Sequence, residues 1–315
     1  MPLSRIPPVP RPAGPPSTLV ISLTPFHDDR RLDEAGLRGH LRRMADAGVG
    51  VYLGGSGSGE GYTLRDDEVD RVFAIGREEL HGRVPVLAMG VEPRTAEQMI
   101  ELGRRVADAG LDGMQVYSLD QGHGNHPTDA ELERYLRDVL EAISVPAVLS
   151  SHQSVGYFVP ADLLGTMVSD YAHVVGVNCT SPDQTYLLQV LEAVDGRVDV
   201  HVGGPMHALT CLALGGQGYL SSDANLAPRL CASVIDRFAA GDLAGCSHAY
   251  RTLMELFTAT RDCGGIVATK AALGMLGLPG GVPRRPRLPV DDATSDRIRS
   301  TMIDALNLRE LEGLE

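Results

Sequence analysis

Ala45-Asp46-Ala47-Gly48-Val49 returns 62 residues later as Ala107-Asp108-Ala109-Gly110-Leu111. In each copy the glycine stands where a helix should end, just ahead of an apolar run, because glycine tolerates the left-handed conformation that closes a last turn. Two strand–helix units of about 31 residues give that spacing. The alternation continues outward. Apolar runs at Leu19–Leu23, Val49–Leu53, Val84–Met89, Met114–Tyr117, Val145–Leu149, Val174–Val177, Val198–Val202 and Gly218–Ser221 predict eight strands. Between them lie helical periods, plainest in Leu132, Tyr135, Leu136, Val139, Leu140 and Ile143, which share one face at 3.6 residues per turn. Thr95 with Gln98 and Thr128 with Glu131 fit capping boxes. Ser181-Pro182-Asp183-Gln184 places proline at a first helical position. Eight even units of buried strand and helix predict an α/β fold, a (β/α)8 TIM barrel with additional C-terminal helices. A doubly wound open sheet is the alternative; the absence of a dinucleotide fingerprint weighs against it.

This reading divides the chain into a proline-rich N-terminal arm (1–17), the barrel (18–226) and a C-terminal helical extension (227–315). The chain has 315 residues and a net charge of −13, which argues against a nucleic-acid partner, since phosphate neutralisation needs a basic face. No apolar run is long enough for a membrane helix. The five cysteines (Cys179, Cys211, Cys231, Cys246 and Cys263) form no CxxC pair, and the N-terminus has no basic-then-apolar leader, so a reducing cytoplasm is expected. The only lysine is Lys270, so any mechanism that needs a lysine amine has one candidate.

Barrel chemistry sits at the C-terminal ends of the strands. The loop Gly54-Gly55-Ser56-Gly57-Ser58-Gly59-Glu60 combines backbone freedom with two hydroxyls and suits a small carboxylate or phosphate; a purely structural tight loop is the plainer reading. Ser150-Ser151-His152-Gln153 is expected after strand five, Asn178-Cys179-Thr180 after strand six and Ser222-Asp223-Ala224-Asn225 after strand eight. His152 is a candidate proton-transfer group. Asp120, Asp223 and Glu60 are possible acids or bases, Glu60 more as a brace of its loop. His123, His126 and His201 could meet at the mouth, but no tight ligand spacing supports a metal, and neither metal nor cofactor is expected. If Asn178 faces the barrel interior, Cys179 faces the helices, because strand neighbours alternate.

Leu23-Thr24-Pro25-Phe26, Ser58-Gly59-Glu60, Leu64 with Glu68, Gly176-Val177, Gly218-Tyr219-Leu220-Ser221 with Asn225 and Pro228, Lys270-Ala271-Ala272-Leu273 with Gly277, and Arg285-Pro286 occur in an order and spacing that resembles the dihydrodipicolinate synthase / N-acetylneuraminate lyase family. The resemblance covers nearly all of residues 18–290 and implies a barrel with extra C-terminal helices, a homo-oligomer (tetramer or dimer) and a small carboxylate or 2-oxo-acid-like substrate. It also implies a strand-six lysine that forms a Schiff base; at that position this chain has Asn178, whose amide nitrogen has no free lone pair. Where the family carries a proton-relaying tyrosine after strand five, this chain has Ser150-Ser151-His152. The paired threonines of the carboxylate loop correspond to Gly57 and Ser58, and Leu220 is in register with a residue whose backbone meets the substrate. Lys270 matches a lysine of the C-terminal helices and is expected to be exposed or capping. The candidates are therefore His152, Asn178 and Ser150 for catalysis, with Asn178 and Ser58 as electrostatic donors, and Gly57, Ser58, Gly59 and Leu220 for substrate binding. Two functions are compatible with this pattern: a divergent lyase/aldolase-type enzyme working without an imine, and an inactive paralogue that binds a small acid or serves in an assembly.

Overall fold

The computed structural model describes residues 14–314; most of the predicted N-terminal arm lies outside them. Eight parallel strands close into a barrel in chain order, β8 pairing back to β1. They are β1 (Ser17–Ile21), β2 (Gly50–Leu53), β3 (Val86–Ala88), β4 (Gly113–Val116), β5 (Ala147–His152), β6 (Val174–Thr180), β7 (Asp199–Gly203) and β8 (Gly218–Leu220). The helices between them are α1 (Glu34–Asp46), α2 (Asp66–Leu80), α3 (Ala96–Ala109), α4 (Asp129–Ala142), α5 (Ala161–Asp170), α6 (Gln184–Val194) and α7 (Ala208–Ala213). After β8 come α8 (Pro228–Ala239), which packs on β1, then α9 (Leu243–Asp262), α10 (Ile266–Met275), α11 (Asp292–Ile298) and α12 (Leu308–Leu311). Among the described residues, no helix is long and apolar enough to cross a membrane.

Gly48 and Gly110, the repeated glycines, both adopt positive φ at helix ends, as their sequence context predicts. Thr128 and Glu131 form the predicted capping box at the start of α4, and Leu132, Tyr135, Leu136, Val139 and Leu140 are its buried face. The other two helix starts differ from expectation. Gln98 reaches the Arg94 N–H (2.6 Å), one residue too early for a box with Thr95, whose side chain does not cap. Pro182 precedes the helix, and Asp183 caps α6 by accepting from the Thr185 N–H.

Strand alternation sorts each apolar run into two buried faces. Val51, Val116, Leu149, Val177, Val200 and Tyr219 pack outward among the helices, while their neighbours face the barrel axis. β5 and β6 run further than their apolar cores suggest. Ser150, Ser151 and His152 pair with Asn178, Cys179 and Thr180, so these residues are strand rather than loop. Ladder bonds to the neighbouring strand satisfy the backbone there, which lets polar side chains occupy strand ends.

Candidate active site

At the strand tips, inward-facing Gln115 of β4, Ser150 and His152 of β5, Asn178 and Thr180 of β6, and Leu220 of β8 meet Gly57, Ser58, Ser222 and Asp223 from the loops. With Ile21, Met89, Met206 and Phe257 they enclose a cavity of about 290 Å³. That volume suits a small ligand.

Asn178 lies level with Ser150 and His201 across the sheet and is 2% exposed. Its Nδ2 donates to Gln115 Oε1 (2.6 Å) and to the Tyr52 hydroxyl (3.2 Å). Both amide protons are thus committed to the barrel interior. Oδ1 is buried without a partner among the described residues. Asn178 thus borders the cavity while its amide is tied to Gln115 and Tyr52 across the barrel interior. Ser150 borders the same space, its carbonyl accepting from the Ser118 hydroxyl (2.7 Å). His152 Nδ1 accepts from the Ser154 N–H (3.0 Å), which leaves the proton of the neutral ring on Nε2. Burial lowers the imidazole pKa, with Glu92 opposing, so the ring stays neutral and acts as a donor rather than as a readily protonated base.

Gly57 and Ser58 line the cavity, and a Cβ on Gly57 would meet nothing within 4 Å. Gly59 is not among the lining residues: its Cβ would come within 2.8 Å of the Gly55 carbonyl oxygen, so it packs the loop on itself. Gly61 is tighter still, 2.0 Å from the Gly54 carbonyl oxygen. Gly61→Ala is expected to cost about 1–3 kcal/mol, since backbone must shift to admit the methyl. Thermal unfolding checks this, and an unchanged melting temperature would mean that the loop adapts freely.

Behind the loop, the Thr24 hydroxyl donates to the Gly59 carbonyl (2.8 Å). Glu60, fully buried and at φ +50°, accepts from the Arg284 N–H (2.9 Å) and pairs with the Lys270 ammonium. Lys270 also donates to the carbonyls of Thr24 (2.9 Å) and Val282 (3.0 Å). Arg284 grips both oxygens of Glu68 (2.7 and 2.5 Å). Lys270 Nζ and Arg284 Cζ lie 4.6 and 4.0 Å from the centre of the Phe26 ring. The expectation of an exposed or capping Lys270 is corrected: the residue is buried, because a carboxylate and two carbonyls satisfy its three donors. It is not among the residues that line the cavity.

Asp223 is 2% exposed and also borders the cavity. Its Oδ2 accepts from the Ser221 hydroxyl (2.7 Å), and its Oδ1 has no partner among the described residues. Burial pushes its carboxyl up to about 6. Asn225, close by, is scaffold: it accepts from the Leu23 N–H (2.8 Å) and donates to the Ile21 and Ser222 carbonyls (both 2.9 Å), tying β1 to the loop after β8. The Leu220 carbonyl accepts from the Gly204 N–H (2.7 Å) while its side chain lines the cavity.

The three histidines weighed for a metal do not converge. His201 bonds to the Ser17 hydroxyl (2.8 Å), with burial lowering it to about 4, and His126 lies against the Tyr157 ring. Among the described residues no group of three His, Cys, Asp or Glu side chains could hold a metal. Cys179 faces away from the cavity, as alternation predicts, and burial pushes its thiol up to about 12. Sequence reasoning did not select Gln115, Thr180 and Tyr52, and it weighed Asp223 without selecting it. Gln115 carried a signal, an amide between Met114 and Val116 in an apolar run.

Residues 16–305 match the dihydrodipicolinate synthetase family. The 4-hydroxy-tetrahydrodipicolinate synthase of Acidiphilium cryptum is 30% identical over 286 residues, which cover 90% of this chain and 96% of that protein. A crystal structure of a putative dihydrodipicolinate synthetase from Pseudomonas aeruginosa superposes with a TM-score of 0.84 at 25% identity, covering 95% of this chain and all of that one (100%). YagE from E. coli, a family protein solved in complex with pyruvate, shares the fold with a TM-score of 0.85 at 24% identity, over 93% of this chain and 99% of its own. With the family match running from β1 through all eight strands of the closed barrel into the C-terminal helices, this chain belongs to the dihydrodipicolinate synthetase family of lyase/aldolase-type barrels.

Proposed function

We propose that this chain is a lyase-type enzyme that acts on a small carboxylate without forming an imine. Asn178 carries the reading. It occupies the inward strand-six position where the family resemblance implies a lysine, and its nitrogen is delocalised and doubly committed as a donor. Lys270, the only lysine, is held behind the glycine-rich loop by Glu60. An active enzyme is favoured over an inert binder because Ser58, Ser150, His152, Asn178 and Asp223 all border one cavity that apolar side chains do not plug.

In this reading Ser58 and the Gly57 backbone take the carboxylate, while His152 Nε2–H and the Ser150 hydroxyl stabilise oxygen charge as it develops. Asp223, with its carboxyl near 6, is ionised at neutral pH and moves the proton. A homo-oligomer, tetramer or dimer, belongs to the same proposal on family grounds, and a reducing cytoplasm on the five free cysteines.

Borohydride reduction in the presence of pyruvate should leave the intact mass of the protein unchanged. A covalent adduct, above all on Lys270, would overturn the imine-free mechanism. A thermal-shift screen across small carboxylic acids should find at least one that stabilises the protein; complete indifference would overturn the substrate class.

A further inference from the structure

We infer that a cleft outside the barrel, lined by Arg30, Arg31, Arg65, Arg284 and Arg285, binds a diphosphate group. It shares no residue with the cavity at the strand tips. The cleft, of about 610 Å³, lies between the loop joining β1 to α1, the end of the glycine-rich loop and the segment joining α10 to α11.

Nine residues line it; five are arginines, and the only acid is Asp29. The whole chain carries a net charge of −13, so this concentration of positive charge runs against its background. Like charges held together repel, and an anion seated among them relieves the repulsion.

The arginines differ in what they are free to do. Arg284 is committed to the fold, through Glu68 and the carbonyls of Arg30 (2.9 Å) and Thr63 (3.0 Å). Arg31 pairs with Asp29 (2.6 Å), and Arg65 with Asp67 (3.1 Å) and Glu68 (3.3 Å). Both arginines are more than half exposed, and ion pairs so open to water give way readily to a ligand. Arg285 is exposed and makes no hydrogen bond or ion pair among the described residues. Arg30 donates to the Pro283 carbonyl (2.5 Å) and has no carboxylate partner among those residues. Arg287, beside the cleft, donates to the hydroxyl of Tyr62, which lines it, and has no carboxylate partner there either (2.9 Å).

Arg30 also adopts φ +71°, in a turn that the His27 carbonyl closes by accepting from the Arg30 N–H (2.8 Å). That conformation is costly for a long side chain, and glycine or asparagine would relieve it. Arginine at this point brings to the cleft a guanidinium that an unstrained turn residue would not. Arg30, Arg285 and Arg287 thus lack a counter-charge. A single carboxylate offsets one of them. A diphosphate carries about three negative charges at neutral pH, with oxygens enough for several planar forks, the geometry in which arginine meets phosphate.

Calorimetric titration of the intact protein with pyrophosphate at low ionic strength tests this. One saturable site per chain is expected, with inorganic phosphate binding about tenfold more weakly. Arg285→Ala should weaken pyrophosphate about tenfold or more, and Arg285→Lys should recover only part of the loss. Arg251→Ala, which removes an exposed charge from α9, should leave the affinity unchanged. The Arg285 variants should unfold at the parent's temperature, so a lost affinity reports the site and not the fold. Absence of saturable binding, or equal weakening by Arg251→Ala and Arg285→Ala, would overturn the inference. A tetraglutamate peptide binding more tightly than pyrophosphate would overturn it in favour of an acidic protein segment.

Discussion

Lys270→Met is expected to destabilise the protein by about 3–5 kcal/mol, the usual consequence of leaving one partner of a buried ion pair without the other. Glu60 is fully buried, and its second oxygen is already engaged by the Arg284 N–H, so it has no route to water once the ammonium is gone. Two carbonyls, those of Thr24 and Val282, lose a donor at the same time. The effect should reach the cavity, because Glu60 ends the loop that supplies Gly57 and Ser58 to its wall. Urea unfolding measures the loss, and a small-acid titration on the folded remainder measures the loosened wall. Adding Glu60→Gln to Lys270→Met should recover a substantial part of the stability, since the uncompensated charge disappears. A loss below about 1 kcal/mol in the single variant would show that the pair contributes no more than an exposed one.

Asp223→Asn should have the opposite effect on stability and a larger one on chemistry. The folded chain holds the Asp223 proton more tightly than the unfolded chain does, because burial raises the carboxyl from 3.8 to about 6. Stability from this residue is therefore complete at low pH and falls as pH climbs through that window. Asparagine carries no charge, so the variant should be about 2–3 kcal/mol more stable than the parent above pH about 7 and nearly equal to it below pH about 4. Turnover of the substrate, once found, should fall by about 10²–10⁴-fold, and the inflection of the rate near pH 6 should vanish. A gain in stability with a loss of activity identifies a group kept in place for function. Equal stability at both pH values, or retained turnover, would remove Asp223 from the mechanism.

Local patterns were legible wherever one neighbour decides the outcome. The glycine that ends a helix and the Thr128–Glu131 box depend on contacts within four residues, and both are present. The Thr95 box failed because Gln98 had a second backbone N–H, that of Arg94, within reach, a choice that spacing does not reveal. Strand centres were readable from apolar runs, but the polar ends of β5 and β6 were not, since their pairing is set by the adjoining strand.

Sequence by itself determined the eight-unit barrel, the period-two division of each strand into an inner and an outer face, and the presence of an amide at position 178. Those features follow from backbone geometry and residue identity, which are local. Only the tertiary structure decided what the polar groups do. Gln115 and Tyr52, 63 and 126 residues from Asn178, supply the partners that hold its amide in the barrel interior. Enclosure raises Asp223, and Glu60, 210 residues from Lys270, draws that ammonium out of solvent. Hydrogen-bond partners and desolvation depend on which distant groups the closing barrel brings together, and no stretch of the chain carries that information alone.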